Sequence, residues 1–339
     1  MPETRPDLSV EDYAAGVRAG DRSTLGRALT LVESNHPQQR RQAQDLLALL
    51  QPASGGAWRL GISGVPGVGK STFIESLGLR LVDQGRRVAV LAVDPSSAVS
   101  GGSILGDKTR MPELSTRNHA FIRPSPTGGS LGGVGRKTRE SIVVCEAAGF
   151  DVVIVETVGV GQSEALVAQM VDFFLVLMLS GAGDELQGIK RGILELADLI
   201  AINKADGDNL TRARRARAEL EGALRILRPP GAQTWTPEVV TCSARSGDGL
   251  DAVWDAVCRH HAEMSERGLL QDKRRQQLVR WMWSTVDEAL RAAAREHPVV
   301  AAAASGLERD VVEGRVTPTR AAETILEALG VGVDSPGRS

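Results

Sequence analysis

Residues 64–71 form the first stretch whose types and spacing could do chemistry: Gly64, Val65, Pro66, Gly67, Val68, Gly69, Lys70 and Ser71, followed by Thr72. They fit G-x-x-x-x-G-K-[ST] at every position. Glycines let successive backbone N–H groups turn inward around phosphate oxygens, and a helix that starts there adds its positive end. Lys70 is expected on the β- and γ-phosphates, and the Ser71 hydroxyl on Mg²⁺. The bland alternative is a glycine turn with a surface lysine. A strand-like WRLGIS before the motif and helical spacing after it argue against that.

Carboxylates come next. The apolar run DVVIVE ends at Glu156, followed by Thr157, Val158 and Gly159. An acid at a strand end beside a phosphate loop is where nucleotide enzymes hold Mg²⁺ or its water shell. The Gly159 amide could then meet the γ-phosphate. A capping acid at a strand end is the plainer account of Glu156. Asp94 closes VLAVD and faces the same edge, with Asp-Pro turn initiation as its alternative. Asp107, in GDKTR, reads on its own as a solvated loop acid.

Asn203, Lys204 and Asp206 follow the apolar run DLIAI in N-K-x-D spacing. A carboxylate at 206 can accept from both N1–H and the N2 amino group of guanine. Asn203 can reach N7 and tie down the loop, and the Lys204 stem can lie along the ring. Adenine would leave a buried carboxylate facing a lone pair. That costs about 2–4 kcal/mol, so GTP is expected over ATP by about 10² or more. Ser243, Ala244 and Arg245, after EVVTC, supply a second base loop whose amide can donate to O6.

These loops need a scaffold. WRLGIS, RVAVLAVD, DVVIVE, FFLVLML, DLIAIN and EVVTCS are short and almost wholly apolar, as strands covered on both faces must be. Helical stretches lie between them. Lys70 to Gln84 carries Phe73, Leu77 and Leu81 on one face, with Gly85 as its stop. The expected fold class is therefore α/β: a P-loop nucleotide-binding fold with a mostly parallel sheet covered by helices. Helical extensions flank it, giving 1–55 as an N-terminal extension, 56–262 as the nucleotide domain and 263–339 as a C-terminal arm. Ser9 and Asp12 form a capping-box pattern, and Thr317-Pro318 begins a last helix. The stretch 96–139, rich in Gly, Ser, Pro and Thr, reads as a long irregular segment. Leu278, Trp281, Met282, Val286 and Leu290 form an apolar helical stripe, and His260-His261 reads as a helix surface.

Bulk composition narrows the partners. A formal net charge of -2 over 339 residues argues against nucleic-acid or anionic-membrane binding. The longest apolar run, Phe173–Leu179, is too short to span a bilayer, and the acidic N-terminus is unlike a signal peptide. The cytoplasm is expected. Cys145, Cys242 and Cys258 are odd in number and far apart, so neither a disulfide framework nor a zinc knuckle is expected.

The four sites in this order, worded GVPGVGKST, VDPSS, ETVGVGQSE and NKAD, closely resemble the MeaB/ArgK family. These are the methylmalonyl-CoA mutase-associated GTPases, SIMIBI-class P-loop G proteins related to human MMAA. GGSILGDKTRM and RPSPTGGSLGGVGRKTRE are also in the family style, and the likeness covers nearly the whole chain. The resemblance implies a G-protein chaperone of an adenosylcobalamin-dependent acyl-CoA mutase that gates cofactor loading and guards the mutase. It implies homodimers through the C-terminal helices and no cobalamin bound by this chain itself. It implies Ser71, Asp94, Asp107 and Glu156 as the Mg²⁺ positions. It also implies a third switch loop at 181–190, with Gln187 and Lys190 linked to activated hydrolysis.

Two rivals remain. A nickel metallochaperone on the same fold would need a metal motif, which His36, His119, His260, His261 and His297 do not form. A nucleotide-binding scaffold or small-molecule kinase would release a phosphorylated product. Older naming in this family called members transport-protein kinases, but no protein-kinase catalytic loop is present. No residue stands out to orient the attacking water: Gln162 is a candidate that could equally be structural. Slow intrinsic turnover, on the order of 10⁻⁴–10⁻² s⁻¹, accelerated by a partner, is the expectation.

Overall fold

The expected apolar runs all form strands, and a seventh joins them. The strands are β1 (Trp58–Gly64), β2 (Val88–Val93), β3 (Ala120–Arg123), β4 (Val152–Thr157), β5 (Phe173–Leu179), β6 (Leu199–Asn203) and β7 (Glu238–Thr241). They pair in parallel in the order β3-β2-β4-β1-β5-β6-β7. The phosphate-loop strand thus lies between β4 and β5, with Ile62 beside Glu156 and Gly64 beside Leu177. The computed structural model describes residues 8–93, 111–124, 131–157, 163–181, 191–227 and 235–331.

A recurrent local device starts the strands. Asp151, Asp172 and Asp198 immediately precede β4, β5 and β6. Each carboxylate accepts the amide of a residue at the start of a neighbouring strand: Arg87 at 2.7 Å, Arg59 at 2.9 Å and Phe174 at 2.9 Å. Amides that would otherwise be orphaned at the sheet's lower edge are satisfied there.

The helices are α1 (Val10–Arg18), α2 (Arg22–Val32), α3 (Pro37–Leu50), α4 (Lys70–Asp83), α5 (Pro112–Thr116), α6 (Leu131–Ala147), α7 (Ser163–Ala168), α8 (Arg191–Leu196), α9 (Leu210–Leu227), α10 (Leu250–Glu266), α11 (Leu269–Glu296), α12 (Pro298–Val312) and α13 (Pro318–Ala328). The capping box of α1 is complete, with Ser9 Oγ accepting from Asp12 N and Asp12 accepting from Ser9 N. Thr317 caps α13 by accepting from Arg320 N. One sheet face packs Leu60, Ile62, Val88 and Val90 against Phe73, Ile74, Leu77 and Leu81 of α4 and Trp254 of α10. The other packs Leu91, Val153 and Val155 under α6 and α7, with α2 and α3 laid over α6 as a further layer.

That extra layer corrects the reading of 96–139. Its described part holds α5, β3 and the start of α6. The glycines of LGGVG carry loop signals, but Gly135 serves close packing: a Cβ there would stand 2.7 Å from Leu166 Cδ1. Lys137, Thr138, Arg139, Glu140 and Ser141, a polar run, are buried between sheet and N-terminal helices. Glu140 accepts from Arg136 at 2.7 Å and from Gln44 of α3 at 3.0 Å. Burial nonetheless pushes its carboxyl up. His260 is likewise a core residue, edge-on to Phe173 and Trp235, while the half-buried His261 stacks on Trp58 at 4.1 Å.

Two units divide the chain, Met1–Gln277 and Leu278–Ser339. Within the second, α12 packs on α13 and buries Val300 and Ala321. Leu278, Met282, Trp283, Val286 and Leu290 remain exposed, Trp283 by 58% and Leu290 by 64%.

Candidate nucleotide site

The site gathers at the carboxyl ends of the strands, where ligands bind in such sheets. β1 ends at Gly64, and only glycine fits: an added Cβ would stand 2.5 Å from Leu177 O of β5. Val68 is fully buried and pins the loop from below, while Pro66, Gly67 and Thr72 face solvent. Gly69 stands at the N-cap of α4. Lys70 Nζ donates to Gly64 O at 2.7 Å and to Val65 O at 3.3 Å. The ammonium therefore lies folded over its own loop. Exchanging neutral carbonyls for phosphate oxygens would strengthen its hydrogen bonds.

Ser71, at the start of α4, donates from Oγ to Glu156 Oε1 at 3.3 Å. Glu156 is 4% exposed near the end of β4 and neighbours Ile62 of β1 and Ala92 of β2 in register. The residues expected to hold Mg²⁺ at 71 and 156 are thus brought together. A hydroxyl and a buried carboxylate are hard oxygen donors that suit this ion, which takes one or two carboxylates and fills its shell with water and phosphate. Asp94 and Asp107 lie outside the described residues, as do Gly159, Gln162, Gln187 and Lys190.

Asn203, the last residue of β6, is 1% exposed. Its Nδ2 donates to Val68 O at 2.8 Å and its Oδ1 accepts from Ala244 N at 3.0 Å. It therefore staples the phosphate loop to the second base loop. Cys242 Sγ stands 3.8 Å from the same Oδ1, and burial pushes this thiol up to about 12, so it stays protonated. Lys204 has a left-handed backbone (φ 59) and donates from Nζ to Gly67 O at 2.8 Å, across the phosphate loop. Asn209 Nδ2 supports the turn by donating to Lys204 O at 2.7 Å, and Ser180 Oγ holds Asn209 Oδ1 at 2.6 Å. The Asp206 carboxylate accepts a hydrogen bond from Ser243 Oγ, and Ser243 is fully buried. The acid is oriented before any base arrives.

Sequence reasoning missed Ser180 and Asn209, and also Ser76 and Arg80 of α4, which reach the second base loop at Ala244 and Gly247. Polar residues one turn apart on a phosphate-loop helix were the available signal. The sequence places Ala244 in a base loop with a donating amide. In the structure that amide is engaged by Asn203, while the exposed Arg245 follows it.

The chain is similar to several known proteins over most of its length. The family model described as methylmalonyl-CoA mutase-associated GTPase MeaB matches residues 25–299. A probable GTPase of Mycobacterium tuberculosis is 54% identical over 327 residues, spanning 96% of this chain and 97% of its own. The mitochondrial methylmalonic aciduria type A homolog of Mus musculus is 48% identical over 330 residues, spanning 94% of this chain and 79% of its own. A solved structure described as an LAO/AO transport system kinase matches with a TM-score of 0.78 and 38% identity, spanning 97% of this chain and all of that one. With a phosphate loop, a paired Ser71–Glu156 and a preset Asp206 at one sheet edge, this chain belongs to the MeaB family of methylmalonyl-CoA mutase-associated GTPases.

Proposed function

We propose that this GTPase is a G-protein chaperone of an adenosylcobalamin-dependent acyl-CoA mutase, methylmalonyl-CoA mutase first among them. In this reading GTP turnover gates cofactor loading and protects the mutase. The carrying observation is the MeaB match over residues 25–299, supported by the likeness to the methylmalonic aciduria type A homolog. The nickel-metallochaperone and small-molecule kinase readings have no comparable support.

Phosphoryl transfer to water asks for positioning and charge stabilisation more than covalent chemistry. The amides of residues 64–72 and Lys70 take the β- and γ-phosphates. Asp206 reads the guanine edge, the Lys204 stem covers the ring, and Asn203 supports N7. Ser71 and Glu156, with Asp94 and Asp107, would hold Mg²⁺, which neutralises phosphate charge when bound. Gly159 answers to the γ-phosphate, and Gln187 and Lys190 serve activated hydrolysis. Intrinsic turnover is slow, on the order of 10⁻⁴–10⁻² s⁻¹.

The exposed stripe of α11 supports a homodimer through the arm, residues 263–339, since a monomer leaves Met282, Trp283 and Leu290 in water. Sedimentation of Met282→Lys/Trp283→Lys should give monomers where the parent gives dimers. No helix among the described residues is long and apolar enough to cross a membrane.

Single-turnover hydrolysis with and without the mutase tests the function. Acceleration by the mutase is expected, and equal rates would remove the proposal. Pull-down of candidate mutases under GDP and a non-hydrolysable GTP analogue identifies the partner.

A further inference from the structure

The second base loop is tied to the helix that begins at the phosphates. Ser76 and Arg80 stand one turn apart on one face of α4. Ser76 Oγ donates to Ala244 O at 2.6 Å. Arg80 Nη2 donates to Gly247 O at 2.8 Å, and Arg80 also pairs with Asp251.

A trans peptide is planar, so the carbonyl of Ala244 and the amide of Arg245 point in opposite directions. Turning that carbonyl toward Ser76 turns the Arg245 N–H away from α4. The neighbouring amides are already used: Ala244 N by Asn203 Oδ1, Ser246 N by Ser243 Oγ at 3.1 Å, and Gly247 N by Ser243 O at 2.9 Å. The Arg245 amide makes no hydrogen bond among the described residues and belongs to an exposed residue. Two positions earlier, Ser243 holds Asp206. One short loop thus presents a fixed acceptor beside an available, oriented donor. On a guanine, O6 is the acceptor adjacent to N1–H, so such a donor completes the edge that the acid begins.

We propose that Ser76 is a specificity-positioning residue that aims the Arg245 amide at O6 of the base. Guanine is then read by two separable devices: Asp206 for N1–H and the N2 amino group, and the Ser76-held peptide for O6. This rests on the base site described under Proposed function. Adenine carries an amino group in place of O6, so it would set donor against donor at this peptide.

Calorimetric titration with three diphosphates probes the devices: GDP, IDP (no N2 amino group) and 2-aminopurine riboside diphosphate (no O6 and, in consequence, no N1–H). Ser76→Ala should weaken GDP and IDP together by about five- to tenfold, leaving their ratio and the binding of 2-aminopurine riboside diphosphate unchanged. Ser76→Thr, which keeps the hydroxyl, should restore GDP binding. Equal weakening of all three ligands, or of none, overturns the proposal. Arg80→Ala perturbs the same loop from a half-exposed side chain, so it remains measurable should Ser76→Ala fail to fold. It should shift the GDP to 2-aminopurine ratio in the same direction by about twofold, and an unchanged ratio counts against the idea. Failure of the underlying base site looks different: the parent protein would not distinguish GDP from IDP, and Asp206→Asn would leave that ratio untouched.

Discussion

The two edges of the sheet are built from different interactions. At the carboxyl edge, side chains are held by hydrogen bonds to loop backbone: Lys70 to Gly64 O and Val65 O, Lys204 to Gly67 O, Asn203 to Val68 O, Ser76 to Ala244 O. At the amino edge, buried ion pairs join segments far apart in the chain. Arg274 of α11 grips Asp172 with two bonds, at 2.6 and 2.8 Å, and also donates to Gly55 O and Ala57 O. Arg59 of β1 grips Glu146 of α6, which also accepts from Gly55 N. Burial alone would raise the Asp172 carboxyl, but the Arg274 hydrogen bonds and charge, helped by Arg59, hold it below the usual range. Hydrogen bonds to carbonyls can be traded for a ligand at little cost, whereas a broken buried ion pair leaves a stranded charge. The edge that must rearrange uses the first kind of contact, and the edge that must not uses the second.

The contrast predicts mutations that separate stability from chemistry. The largest effect belongs to the amino edge. Arg274→Met strands Asp172 and should lower unfolding free energy by about 3–5 kcal/mol in urea titration, with GTP turnover per folded molecule unchanged. A comparable loss in turnover would show that the edges are not separable. Lys70→Ala should do the reverse, reducing single-turnover phosphate release by about 10²–10³-fold while the urea midpoint barely moves. Asp206→Asn should bring GTP and ATP affinities closer by about 10², again without a stability change, as competition binding would report.

The smallest effect is a pH dependence at the amino edge. Burial holds the His260 imidazole below its ordinary 6.5, with Asp198 partly opposing. A group depressed on folding prefers its neutral form, so its stabilisation is complete above 6.5 and lost as pH falls through the folded-state value. His261 is depressed as well, chiefly by burial. The urea midpoint should fall between pH 7.5 and 5.5, and by less in His260→Phe. Equal pH slopes in the two proteins would dismiss this contribution.

Much of the carboxyl edge was legible in advance because its chemistry is written locally. A phosphate loop is eight consecutive residues, the N-K-x-D turn is four, and each follows an apolar run whose length and β-branching mark a covered strand. β3 was not legible. AFIR is four residues long, pairs only with β2 at the sheet margin, and sits among Gly, Ser and Pro that carry loop signals. Nor was the burial of residues 137–141, since a charged run on a helix normally faces water.

By itself the sequence determined the strand set other than β3, the helix starts at Ser9 and Thr317, the phosphate loop and the base motif, because each depends on residues within one turn or one strand of each other. The tertiary structure alone decided which charges are buried, that α2 and α3 roof α6, that His260 joins the core, and that Ser76 and Arg80 brace a loop about 170 residues away. Those outcomes depend on which surfaces meet across layers of the fold, and periodicity along the chain marks a face as apolar or polar without naming its partner.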